Sequence, residues 1–226
     1  MNATHRHFST NTKGRDFVVG DIHGELEMLK SELVKVGFDH SKDRLFSVGD
    51  MVDRGNNSLG VLQFFYDHHD SCFAVRGNHE QMLLDAVRQG TDHAIGHHIM
   101  NGGDWFYALN DFEQGFSTGF ASTLPYAISV DTSYGTVGII HAQPYGTSWR
   151  QMLLDLPENR HVRDMVLWSR EIARSKGDPE QFRVQDITRV YCGHTILHEP
   201  TDVANISFID TGAVFGRKLT LLQISP

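Results

Sequence analysis

The chain has 226 residues, 40% hydrophobic and 21% charged, which is enough to bury about 70% of its unfolded surface in a core of its own. Its net charge of -8 argues against a general nucleic-acid binder, because such proteins hold phosphates with an excess of Lys and Arg. No apolar run approaches the ~20 residues of a membrane span, and the N-terminal MNATHRHFSTNTKGRD has no apolar signal core, so a cytoplasmic setting without membrane or nucleic-acid partners is expected.

Residues 16–21, DFVVGD, read as a short buried strand closed by a turn, and ELEMLKSELVKVG then sets Leu26, Leu29, Leu33 and Val36 at helical spacing. The pattern recurs: RLFSVGD at 44–50 precedes the helix-like SLGVLQFFYDH, and CFAVRGN at 72–78 precedes HEQMLLDAVRQG, which stops at Gly90. Continuous apolar strands alternating with amphipathic helices predict an α/β fold with parallel strands buried on both faces. Residues 91–122 are rich in Gly and aromatics and predict a helical insertion or cap beside the strand ends. YAISV (126–130) and TVGIIHA (136–142), joined by DTSYG, predict a hairpin that begins a second, more antiparallel sheet. Residues 149–174 have helical composition interrupted by Pro157, and RVYCG, ISFID and LTLLQI close the chain as strand candidates. Cys72 and Cys192 fall in apolar strand contexts and are expected as buried free thiols.

From Asp21 to Asp50 is 29 positions and from Asp50 to Asn78 is 28, close to the ~30 residues of a βαβ unit. Three polar loops therefore fall at the carboxyl ends of successive strands, where open α/β sheets bind ligands. Each loop singly has a plain structural reading. Asp21-Ile22-His23 could be a turn, or a carboxylate and an imidazole on one side of an extended segment facing one cation. Asp53-Arg54 could be a solvated pair, while Asp50 can bridge two cations through its two oxygens. His141 in IIHA and His194 in CGHT could be ordinary semi-buried histidines. Five strand ends that each deliver an oxygen or nitrogen donor point jointly to a metal centre. Asp92, His93, His97 and His98 are expected on a surface helix rather than at a further metal.

The blocks GDIHG (20–24), GDMVDRG (49–55) and GNHE (77–80), followed by single histidines at later strand ends, resemble the phosphoprotein phosphatase family of binuclear metallophosphoesterases. LWSR, NGGDW and IDTGAVFG look like the small bacterial and lambda-phage type. The resemblance implies a calcineurin-like sandwich of mixed β-sheets flanked by helices, one catalytic domain over 1–226 with the cap at 91–122 inside it. It implies two divalent ions, with manganese expected and iron, magnesium or zinc as alternatives, since the donors are N and O without thiolate. Asp21 and His23 would hold the first ion, Asp50 would bridge, and Asn78, His141 and His194 would complete the second. Arg54 and Arg170 would clamp the substrate phosphate, with Asn78 and His79 beside it, and His79, oriented by Asp53, would protonate the leaving group. Glu80 is read as a helix-start or supporting residue.

The activity implied is that of a monomeric serine/threonine protein phosphatase, with phosphotyrosine as a further substrate, hydrolysing phosphoprotein monoesters by direct attack of a water held between the two ions. Hydrolysis of dinucleoside polyphosphates or other nucleotides is the alternative, disfavoured by Asp53, because those relatives typically lack the acid before the Arg. A non-catalytic phosphate-binding protein would show a damaged ligand set, and none of the expected residues is missing.

Overall fold

The computed structural model describes residues 4–225, so residues 1–3 and 226 of the expected domain and N-terminal stretch lie outside it. The first half alternates strand and helix as β1 (His5–Phe8), β2 (Asp16–Val19), α1 (Leu26–Lys35), β3 (Arg44–Ser47), α2 (Ser58–Asp67), β4 (Cys72–Ala74) and α3 (Asn78–Gln89). Three helices follow, α4 (Asp92–His98), α5 (Asp104–Tyr107) and α6 (Asp111–Thr123), with a π-helical turn at Ile99–Gly103 between the first two. The second half runs β5 (Ala127–Thr132), β6 (Gly135–Ile140), α7 (Trp149–Asp155), α8 (Arg160–Trp168), β7 (Arg189–Cys192), β8 (Thr201–Val203), β9 (Ile206–Phe208) and β10 (Leu221–Gln223).

Strands β2, β3 and β4 pair in parallel, and β10 returns to close that sheet antiparallel, giving the order β10-β2-β3-β4. The other sheet has the order β1-β5-β6-β7-β9-β8. Two of its five pairings are antiparallel against one of three in the first sheet, so it is the more antiparallel of the two, as expected, though only slightly. Only the β5–β6 and β8–β9 hairpins are antiparallel; helices α7 and α8 carry the chain back so that β7 lies parallel to β6. The helical composition of 149–174 breaks at Pro157 as expected, and the Asn159 side chain caps the new helix by accepting from the His161 and Val162 N–H groups.

Side-chain alternation explains why both sheets are buried on two faces. Val18, Phe46, Ile128, Val130 and Ile139 fill the layer between the sheets, while their neighbours Phe17, Val19 and Leu45 pack outward against α1 and α2. On the other side Ala127, Ile140, Val190 and Phe208 face α7 and α8. The result is a sandwich of two mixed sheets with helices outside, the architecture the resemblance implies. Cys72 and Cys192 are free and buried in different outer layers.

Candidate metal centre

The polar loops meet where the carboxyl ends of both sheets come together. The Ile22 and His23 N–H groups donate to the Asp50 carbonyl at 3.0 and 2.9 Å, and Gly24 N–H donates to the Met51 carbonyl, so the loops after β2 and β3 are laced together. Glu80, in the first turn of α3, binds the second loop to the third: its carboxylate accepts from the N–H groups of Gly77 (2.8 Å), Asp50 (3.1 Å), Met51 (2.8 Å) and Val52 (3.3 Å). It stands in neither group of converging ligand atoms described below. A Cβ at Gly77 would overlap Asp50 Oδ1, so only glycine lets α3 start this close to the Asp50 carboxylate.

The backbone here is unusual. Seven described non-glycine residues have left-handed φ values, and five of them are His23, Asp50, Asp53, Arg54 and His194. Such concentration is the mark of a functional site held in place by its surroundings. It also corrects the extended geometry expected for Asp21-Ile22-His23: with φ +45° at His23, the two side chains are directed by a turn and not by strand pleating.

Backbone carbonyls choose which imidazole nitrogen is free. His23 Nδ1–H donates to the Val52 carbonyl (2.8 Å) and His141 Nδ1–H to the Val48 carbonyl (2.9 Å), leaving Nε2 as the lone-pair atom in each. His194 uses the other nitrogen, Nε2–H, toward the Trp168 carbonyl (3.0 Å), leaving Nδ1 free. Those free atoms converge. His141 Nε2 lies 2.8 Å from Asn78 Oδ1, 3.2 Å from His194 Nδ1 and 3.3 Å from Asp50 Oδ2. Two trios, Asp50-His141-His194 and His23-Asp50-His79, each hold their ligand atoms within 4.8 Å of one another, with Asp50 common to both. Asp21 joins neither trio; both its oxygens face the His194 N–H, at 3.2 and 3.0 Å.

The electrostatics are those of a centre short of positive charge. Burial, then the charges of Asp210 and Asp50, push the Asp21 carboxyl well above its usual range. Burial, aided by the neighbouring His79 and Arg54 for His23 and by His141 and Arg170 for His194, lowers both to about 3, so both rings are neutral donors of lone pairs. Burial opposes the Asp50 charge, but the neighbouring His141, His79 and His23 outweigh it and hold the carboxyl well below the ordinary value. Buried carboxylates and neutral imidazole lone pairs aimed at common points suit divalent cations, and the all-N/O donor set favours ions that accept octahedral geometry.

Beside this centre His79 is paired with Asp53. His79 Nδ1 is 2.7 Å from Asp53 Oδ2, and its buried Nε2 has no hydrogen-bond partner among the described residues. Burial works against the Asp53 charge, but hydrogen bonds from His79 and His98 prevail and keep the carboxyl below its ordinary value. Arg54 Nη1 reaches His23 Nε2 at 2.7 Å, and Arg170 is near enough to feel the charges of Asp50, Arg54 and Asp21. The Arg170 side chain makes no hydrogen bond to another described residue. An apolar cavity of about 480 Å³ lined by Phe65, Phe116 and Phe120 contains none of these groups, so volume does not locate the chemistry.

Sequence reading missed two groups. His98, expected on a surface helix, is fully buried with Nε2 3.2 Å from Asp53 Oδ1, whereas His93 and His97 are exposed. Trp105 Nε1–H donates to the same oxygen at 2.7 Å. The NGGDW turn that carries Trp105 was the one available signal.

Comparison with known proteins agrees with this geometry. A family model for calcineurin-like phosphoesterases matches residues 17–207. The chain is 39% identical over 213 residues to serine/threonine-protein phosphatase 1 of Salmonella typhimurium, covering 92% of this chain and 91% of that one. It is 50% identical to a symmetrical bis(5'-nucleosyl)-tetraphosphatase of Pseudomonas fluorescens, but over 70 residues only, 31% of this chain and 25% of that one. A solved structure provisionally assigned as a diadenosine tetraphosphatase superposes with a TM-score of 0.69 at 21% identity, covering 97% of this chain and 93% of that one.

Proposed function

The chain belongs to the calcineurin-like phosphoesterase family, and from that membership we propose that it is a metal-dependent serine/threonine protein phosphatase acting on phosphoprotein monoesters, phosphotyrosine among them. The observation that carries the reading is the meeting of Asp50, Asn78, His141 and His194 on one side and His23 on the other, beside an acid arrangement made by Asp53 and His79. The long match to a protein phosphatase supports that substrate class over nucleotides, for which the comparable sequence match spans under a third of the chain.

Asp21 and His23 would hold one ion, Asn78, His141 and His194 the other, with Asp50 shared. When bound, divalent ions supply Lewis acidity toward phosphoryl oxygens and lower the pKa of the attacking water. We take manganese as the metal, on the N/O donor set. Arg170, whose side chain makes no hydrogen bond to another described residue, and Arg54, which a phosphate oxygen would draw from His23, present planar forks of donors to the phosphoryl oxygens. Asn78 contributes an oxygen without charge, which keeps the site attractive to a dianion. His79, gripped at Nδ1 by Asp53, is left with Nε2 as the proton donor for the departing alkoxide. A cytoplasmic monomer is part of this reading; separately, no helix among the described residues is long and apolar enough to cross a membrane.

The test is turnover by the manganese-reconstituted protein of phosphoserine, phosphothreonine and phosphotyrosine peptides beside diadenosine tetraphosphate. The phosphopeptides are expected to be the better substrates. Much faster turnover of the dinucleotide would replace this reading with the nucleotide-hydrolase one.

A further inference from the structure

Three polar groups of segment 91–122, from His98, Gly102 and Trp105, meet the pair Asp53-Arg54. The π-helical turn Ile99–Gly103 separates α4 from α5, and it lets His98 and Trp105, from different helices, reach the same carboxylate oxygen. Trp105 Nε1–H lies 2.7 Å from Asp53 Oδ1, and His98 Nε2 lies 3.2 Å from it. The Gly102 carbonyl accepts from Arg54 N–H at 3.1 Å, and Gly102 has φ +94° with no room for a Cβ beside the Arg54 backbone.

A carboxylate turns easily about its terminal torsion, which is broad for Asp, so covalent geometry does not aim Asp53 Oδ2 at His79. Two donors on Oδ1 do. Indole N–H can only donate, and His98 behaves likewise because its Nδ1, 3.2 Å from the Tyr107 hydroxyl, is placed to accept, which leaves the proton on Nε2. Oδ1 is therefore held as an acceptor from outside the dyad while Oδ2 is left to His79.

We propose that His98 and Trp105 are positioning residues that lock the Asp53 carboxylate so that it aims His79 at the leaving group, which makes segment 91–122 a support for the acid and not a cover over substrate. This rests on the reading of His79 as the acid. A purely structural role is the competing account, since Trp105 also packs against the apolar clusters around α2 and α3.

Trp105→Phe keeps an aromatic ring and removes only the N–H. The reconstituted variant is expected to retain two metals per chain and to lose about 10- to 100-fold in kcat on phenyl phosphate. On p-nitrophenyl phosphate, whose leaving group needs little protonation, the loss should be within about threefold. In an Asp53→Asn background the same substitution should add nothing, because its effect runs through that carboxylate. If Trp105→Phe does not yield folded protein, His98→Phe is read in the same way. Equal losses on both esters, or a loss that adds to that of Asp53→Asn, would overturn the proposal. Equal losses on the two esters in His79→Asn would remove the acid, and this proposal with it. Aryl esters report on the acid whatever the natural substrate, so poor turnover of phosphopeptides would sink the phosphoprotein reading and leave this test standing.

Discussion

His79 sits within 3.9 Å of Asp50 Oδ2 and shares a trio with His23, so distance alone allows it to be either a metal ligand or an acid. The two roles separate in experiment. His79→Asn is expected to keep both metals and to lose about 10²- to 10⁴-fold in turnover of poor leaving groups, with the defect shrinking on p-nitrophenyl phosphate. Loss of one metal, read by elemental analysis, would make His79 a ligand instead. At this scale much of the candidate site was legible: Asp50, Asn78, His141 and His194, expected from the ends of successive and later strands, do come together, whereas Asp21, expected beside His23, joins neither trio. The rest was not, because Asp53 meets His98 and Trp105 across 45 and 52 positions, and no local pattern encodes where a helical segment will fold back. The left-handed backbone at His23, Asp50, Asp53, Arg54 and His194 was hidden for a related reason, since these residues hold it only under tertiary constraint.

Among the elements, β2, α1, β3, α2, β4 and α3 could be read in order because each strand is buried on both faces and each helix on one, giving two distinct periodicities. Strand β1 escaped because HRHF is half-exposed and polar, and β8 because TDV is three residues at a sheet edge. Asp43 shows how the segments outside these elements are fastened. Its buried carboxylate accepts from Arg15 N–H (2.8 Å), the Arg15 guanidinium (2.6 Å) and Asp39 N–H (3.1 Å), tying the approach to β2 onto the approach to β3. Burial opposes the charge, but these bonds hold the Asp43 carboxyl below its ordinary value of 3.8. A lowered carboxyl pKa contributes stability that is present above the unfolded value and is lost as pH falls through the folded one. Asp43→Asn should therefore lower Tm by about 2–6 °C near neutrality. The gap from wild type should hold steady down to about pH 5 and close below about pH 4. A gap that widens in acid would show that the bonds do not act through the charged form.

Over the whole molecule, one sheet supplies Asp21, Asp50 and Asn78 and the other His141 and His194, so the centre spans the seam between the two layers. Ions bound there bind the folded chain alone, and at 100-fold excess over Kd would stabilise it by about 2.7 kcal/mol. For a chain of this size that is about 5–10 °C in Tm. Chelation should remove this increment from wild type, and Asp50→Asn, lacking the shared ligand, should show no response to manganese or chelator. An unchanged metal response in Asp50→Asn would separate Asp50 from the centre.

The most direct test of a shared two-ion centre is anomalous scattering from crystals of the manganese-reconstituted protein soaked with inorganic phosphate. The expected map has two ions, one against Asp21 and His23, the other against Asn78, His141 and His194, both touching Asp50, with phosphate between Arg54 and Arg170 and His79 bound to neither ion. One ion only, or an ion on His79, would contradict it.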